Sequence, residues 1–248
     1  DETDESQVLW GLYVIGAATS FVNSNTALYY LGFRDDAATF VQGVGTETRH
    51  SFGARLYGNR AGWDWNWEGL YQFGSFGQRS INAWTLATET GFTVDHVRGR
   101  PRVGFSCYAA SGDDDPNDTE LGTFNPLFPR GNYFSEAAVL GPRNFLNIQP
   151  SLSLKPTNQV TASAAVNFFW RLETGDGVYT PSGQILRTPS RSSERFVGTG
   201  LSFSTTYEVA QNLEATAIYS RLFAGDFIEA SGPSGDIDFV ELTVQYKF

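Results

Sequence analysis

The sequence predicts an all-β chain, an antiparallel transmembrane β-barrel, and three observations predict it. Segment after segment alternates in polarity with period two, as a strand does when its two faces meet different surroundings. Short and long connections alternate along the chain, as expected for a barrel with short turns at one rim and long loops at the other. Aromatic residues make up 15% of the chain, beside 26 glycines and only 18% charged residues. That composition suits strands and turns rather than helices.

Roughly eleven strands follow, centred near Leu12, Tyr30, Ala54, Trp67, Leu86, Phe105, Leu152, Val166, Phe203, Ala217 and Val244. The segments at Leu12, Tyr30 and Ala217 alternate poorly, so their facing stays open. The clearest is WDWNWEGLYQFG, with Trp63, Trp65, Trp67, Tyr71 and Phe73 on one face and Asp64, Asn66, Glu68 and Gln72 on the other. PRVGFSCYA sets Val103, Phe105 and Cys107 against Arg102, Ser106 and Tyr108. LNIQPSLSLK sets Leu146, Ile148, Leu152 and Leu154 against Asn147, Gln149, Ser151 and Ser153. VTASAAVNFFWRLE sets Val160, Val166, Phe168 and Trp170 against Thr161, Ser163, Asn167 and Arg171. VELTVQYKF ends the chain with Val240, Leu242, Val244, Tyr246 and Phe248 on one face. Small polar residues opposite the apolar face suit a wet lumen better than a packed core, so the tryptophans are expected to face lipid.

The short connections are YGNRAG, VDHVRGR, KPTNQ and YEVAQN. The long ones are FRDDAATFVQGVGTETR, a loop over 112–144, TGDGVYTPSGQILRTPSRSSE and GDFIEASGPSGD, all expected outside the cell. Helical spacing is confined to SEAAVLG within a loop. Residues 1–248 read as one barrel domain.

Composition also excludes function classes. No run of about 18 apolar residues exists, which excludes a transmembrane helix and says nothing against a barrel. One cysteine, Cys107, cannot build a disulfide framework, and no Cys/His cluster has zinc spacing. The formal charge of −10 and a pI near 4.6 argue against nucleic acid as a partner. His50 and His96 form no Ser/His/acid arrangement, so no enzyme is expected. With no Met, basic segment or apolar stretch at the start, any export signal is taken as already removed.

The last residues orient the chain. Tyr246 and Phe248 look like the C-terminal signal that barrel-assembly machinery reads, although any edge strand can end in Phe. With Phe248 at the periplasmic rim, eleven strands place Asp1 outside the cell, whereas a barrel normally starts in the periplasm. Either the chain is the C-terminal part of a longer barrel, or the count differs by one.

Four stretches resemble the alginate export family of outer-membrane barrels: SGDDDPNDTELGTFNPLFPRGNYFSEAAVLGPRN, FFWRLETGDGVYTPSGQILR, RLFAGDFIEASGPSGDIDFVELTVQYKF and RHSFGARLYGNRAGWDWNWEGLYQFG. The resemblance implies the C-terminal portion of a monomeric barrel, of about eighteen strands in the best-known member. It further implies passage of an anionic uronate polysaccharide through an arginine-lined, loop-constricted lumen.

Parity places Arg55, Arg102 and Arg171 with Glu68, Glu89 and Glu173 in the lumen, where they either select cargo by charge or simply pair and hydrate. Arg171 stands out, because it combines a clear strand with a resembling motif. The apolar loop GTFNPLFPRGNYF either folds inward, bringing Phe124, Phe128 and Arg130 to a constriction, or packs across the barrel mouth. Asp113, Asp115 and Asp118 are of the type that ligates calcium, without EF-hand spacing, and acidic turns are usually just solvated; no other cofactor is expected. The expected partners are outer-membrane lipid and lipopolysaccharide, the assembly machinery, an anionic saccharide and periplasmic export proteins. Two functions stay open: a channel for anionic saccharides or small anions, and a docking barrel whose loops bind a partner or surface polymer.

Overall fold

The computed structural model describes residues 6–19, 24–128, 134, 137–189 and 192–248. Eleven long antiparallel strands pair in chain order: β1 (Gln7–Thr19), β2 (Ser24–Phe40), β3 (Gly43–Arg60), β4 (Trp63–Phe76), β5 (Arg79–Thr93), β6 (Arg102–Ala110), β8 (Phe145–Leu154), β9 (Val160–Trp170), β12 (Phe196–Ala210), β13 (Leu213–Ala224) and β14 (Ile237–Tyr246). Each predicted centre falls in a different one of them. The short strand β7 (Glu120–Leu121) adds to β5 in parallel, and β10 (Val178–Tyr179) pairs with β11 (Ile185–Arg187) in a separate ribbon. Among the described residues β1 and β14 end the sheet and do not pair with each other.

The register fixes which side chains share a face. Ala27, Arg55, Glu68, Ala87 and Tyr108 are successive partners across β2–β6 and form one inner row. Leu28, Ala54, Gly69 and Leu86 form an outer row, one residue along. Outer residues such as Leu86, Phe105 and Leu242 are exposed, as side chains that meet lipid must be. On β4 the outer aromatic run goes from Trp63 to Phe73. Ten residues span roughly 33 Å of strand, and a tilt of about 40° makes that an apolar band of about 25 Å. Beyond Phe73 the outer face turns polar, with Arg34, Thr48, Ser75 and Ser80 in one row.

Trp65 corrects the expectation that all these tryptophans meet lipid. It lies on the outer face by parity but is buried, and its indole Nε1 donates to Ser24 Oγ at 2.9 Å. Its register partner on β3 is Gly58, which leaves room for the ring along the sheet.

The connections differ from the expected pattern in three places. The run FRDDAATFVQGVGTETR is no loop: β2 and β3 continue through it to a turn at Val41 and Gln42, with a bulge between Asp35 and Ala38. Alternation reports contact with lipid, and it stops where strands leave the membrane, whereas backbone pairing does not. At the same end β4 and β5 join through only Gly77 and Gln78, breaking the alternation of long and short connections. The connection GDFIEASGPSGD holds α1 (Asp226–Ser231). The helical spacing at SEAAVLG lies partly outside the described residues.

The hydrophobic core sits inside the curved sheet, toward the long-loop end. Inner residues Phe40, Phe76, Ile81, Ala83, Phe145 and Phe169 pack there against Leu121, Phe124, Phe134, Leu140, Val178 and Phe227 from the connections. The opposite half of the lumen stays polar, with paired hydroxyls at Ser163 and Ser204 (2.6 Å) and at Thr206 and Thr216 (3.1 Å).

Two outcomes are expected. Brominated acyl chains should quench Trp67 and Trp84 but spare Trp65, and Trp67→Arg should cost roughly 2–4 kcal/mol of insertion if near the midplane; fluorescence of single-tryptophan variants and heat-modifiable gel mobility check this. A cysteine at Gly235, where a side chain meets open space, should label from outside intact cells, and one at Asn158 should not.

Candidate functional site

Glu47 and Arg49 sit two residues apart on β3, so period two points both into the lumen. Both are fully buried and paired with each other. A buried ion pair is costly unless its remaining hydrogen-bonding groups are engaged, and here all but Arg49 Nη2 find partners among the neighbouring groups. Arg49 donates to Gln72 Oε1 on β4 at 2.7 Å and to the carbonyl of Thr123 at 3.2 Å. Glu47 accepts from Asn125 Nδ2 at 3.0 Å. The Gln72 amide holds the Asn125 backbone at both ends, donating to its carbonyl at 2.8 Å and accepting from its N–H at 3.0 Å. The segment from Thr123 to Asn125 is therefore pinned to the inner wall. Between the two alternatives for this apolar loop, the structure shows inward folding: Phe124 is buried in the lumenal core, and the exposed Phe128 meets Phe33 edge-on at 5.7 Å. Arg130 lies outside the described residues.

The connection between β9 and β12 folds in beside it. The buried carboxylate of Asp176 accepts from the Asp113 N–H (3.1 Å), the Thr123 hydroxyl (2.6 Å), the Gly177 N–H (2.7 Å) and the Tyr179 hydroxyl (2.6 Å). Asn144, at φ 49°, donates to the Glu173 and Gly177 carbonyls and accepts from the Glu173 N–H. An amide can satisfy both backbone groups of one neighbour, and Asn tolerates the left-handed region better than most residues. The two loops thus form one plug.

Arg171 is the main correction to the predicted site. β9 ends at Trp170, and the Arg171 side chain is buried rather than facing an open lumen. Its guanidinium donates to the carbonyls of Glu194 (2.7 Å), Thr174 (3.1 Å), Asp176 (3.1 Å) and Ser192, over the Phe227 ring at 4.1 Å. With four of its five N–H groups given to backbone carbonyls, the buried guanidinium shapes the loop rather than lining an open passage. Glu173 likewise lies in the loop and faces Arg195 at 3.8 Å.

The other four predicted residues do share the inner wall. Arg55 Nε donates to Asn66 Oδ1 (2.6 Å), Asn66 Nδ2 to Glu89 (3.1 Å), and the Tyr108 hydroxyl to Glu89. Tyr29 donates to Glu68 across Gly53, where a Cβ would stand 2.1 Å from the tyrosine ring. Arg102 reaches Asp64 at 2.8 Å by lying over Gly91 and Gly104.

The acidic loop residues do not converge on a metal. Asp113 is buried and accepts from Gln42 and the Gly122 N–H, while Asp115 and Asp118 cap their own turns, accepting from Asn117 and Glu120. Among the described residues no group of three or more His, Cys, Asp or Glu side chains is placed to hold a metal ion.

Sequence reasoning missed Arg143. Its guanidinium donates to Asn125 Oδ1 (2.7 Å) and the Gly183 carbonyl (3.2 Å), and lies over the rings of Phe40 (5.1 Å) and Tyr179 (5.6 Å). Its Nε has no hydrogen-bond partner. It lines two neighbouring cavities of about 410 and 680 Å³ at the long-loop end. Arg49 and Glu47 were legible by parity once β3 was known to extend past Phe52.

Burial, with the charge of Asp176 adding to it, pushes the Asp113 carboxyl up to about 6. The docked plug therefore favours protonated Asp113. That contribution is complete below the ordinary carboxylate range and is lost as pH rises through about 6. Protection factors of the amides at Gly122–Asn125, corrected for intrinsic exchange, should be lower at pH 7.5 than at pH 5, with the difference reduced in Asp113→Asn. Arg171→Ala, which strips four carbonyls of a donor, should make residues 171–195 sensitive to protease without unfolding the strands. Limited proteolysis checks it.

The alginate export family model matches residues 1–238 of the chain. No curated protein matches it. Among solved structures, NanC porin in a rhombohedral crystal form aligns at a TM-score of 0.42 and 9% identity, covering 99% of this chain and 96% of that one. Matched over nearly all its length, the chain belongs to the alginate export family.

Proposed function

We propose that the chain forms a loop-constricted outer-membrane channel for anionic saccharides, with uronate-type units read at the plug by Arg143. The observation that carries this reading is the inward-folded pair of loops, latched to the wall and placing Arg143 on the lining of two cavities. A constriction concentrates selectivity in a few groups, because low-dielectric walls focus their field. The net charge of −10 does not oppose anion passage at that point. Several of the acids, such as Asp115 and Asp118, lie on exposed turns, where salt screens them over about 8–10 Å. Family membership supports a channel rather than an enzyme. Tyr246 and Phe248 stand exposed at the end of β14, where assembly machinery could read them.

Planar-bilayer recording of the natural chain tests the reading. Oligouronates added at the long-loop side should partly block the current, and Arg143→Glu should weaken the block by about tenfold or more, the loss of one charge-assisted hydrogen bond. Block unchanged in Arg143→Glu would remove Arg143 from the pathway. No conductance at all would favour a docking barrel closed by its plug.

A further inference from the structure

Between the plug and the inner faces of β2–β6 lies a cavity of about 440 Å³, within the usual range for a small-molecule site. Its loop side is apolar and aromatic, with Phe124, Phe128 and Phe134. Phe134 stands edge-on to Tyr108 at 5.5 Å and beside Phe145 at 4.3 Å. Its wall side carries two carboxylates, Glu68 and Glu89.

Neither carboxylate has a cationic partner among the described residues. Glu68 accepts from Tyr29, and Glu89 from Tyr108 and Asn66, all neutral donors. Of the nearby guanidiniums, Arg102 is paired with Asp64, and Arg55, across the strand pair from Glu68, gives its Nε to Asn66; neither forms an ion pair with Glu68 or Glu89. Aromatic faces and carboxylates attract the same ligand charge: ring quadrupoles and anionic oxygens both favour a cation. The apolar lining favours a ligand with a hydrocarbon body over a sugar, whose hydroxyls would lose water without enough partners.

We propose that this cavity binds a small organic ammonium ion with an apolar body, its charged end at Glu68 and Glu89 and its body against Phe124, Phe128 and Phe134. The site is separate from Arg143 and of opposite charge preference, so it does not depend on the anionic-saccharide reading. The lumen is then polarised along its length, attracting carboxylates at the plug and ammonium groups beneath it.

The test compares phenethylammonium with phenylpropionate, which have similar bodies and opposite charge. In planar bilayers with the natural chain, phenethylammonium should reduce the current at least tenfold more potently than phenylpropionate. Equilibrium dialysis of the detergent-solubilised protein should show the same order. Glu68→Gln combined with Glu89→Gln keeps an acceptor for each tyrosine and should abolish the preference. Equal potency of the two compounds, or a preference that survives in the glutamine variants, would overturn the proposal. Should the double variant fail to insert, the two single variants are compared, and an unchanged preference in both counts against the site.

Discussion

Everything distinctive in this lumen depends on the buried pair of Glu47 and Arg49. Two adjacent inner positions on β3 carry opposite charges at a depth where neither meets water. An unmatched charge there would cost several kcal/mol, so the pair must borrow hydrogen-bonding groups from whatever can reach it. Gln72 supplies one from the neighbouring strand, and Thr123 and Asn125 supply others from the long loop. The loop is thereby held inside the barrel by the unmet needs of the wall.

Once the loop is in place, its apolar residues find cover. Phe124 and Leu121 join inner-face aromatics that would otherwise line a wet channel. The second loop docks on the first through Asp176 and Asn144, and Arg171 then holds its shape by donating to four of its carbonyls. One half of the lumen becomes a core, and the other remains a hydroxyl-lined passage. The charged side chains divide accordingly: Arg143 faces the mouth, and Glu68 and Glu89 face the cavity beneath the plug.

The strands were legible because lipid and lumen impose opposite polarity on successive residues, and WDWNWEGLYQFG writes that rule out plainly. The segments at Leu12 and Tyr30 alternate poorly, yet they are strands too. β1 lies at one end of the sheet with its described side chains exposed, and β2 presents Tyr29 inward and Tyr30 outward. The extension of β2 and β3 past the membrane was not legible, since paired strands outside lipid need no alternation. For the same reason alternation marks Arg55 as lumenal but does not reach Arg49, on the same face.

By itself the sequence determined the barrel strands, their number in this chain, the facing of most side chains and the inner-wall positions of Arg55, Glu68, Glu89 and Arg102. Those follow from contacts between near neighbours along a strand, where period two leaves no freedom. Only the tertiary structure decided what the loops do. It turned Arg171 from a lumenal charge into a buried loop clamp, dispersed Asp113, Asp115 and Asp118, and brought Arg143 to the plug. Those outcomes rest on hydrogen bonds between residues up to 78 positions apart, as for Glu47 and Asn125. No local pattern encodes which buried donor will meet which distant acceptor.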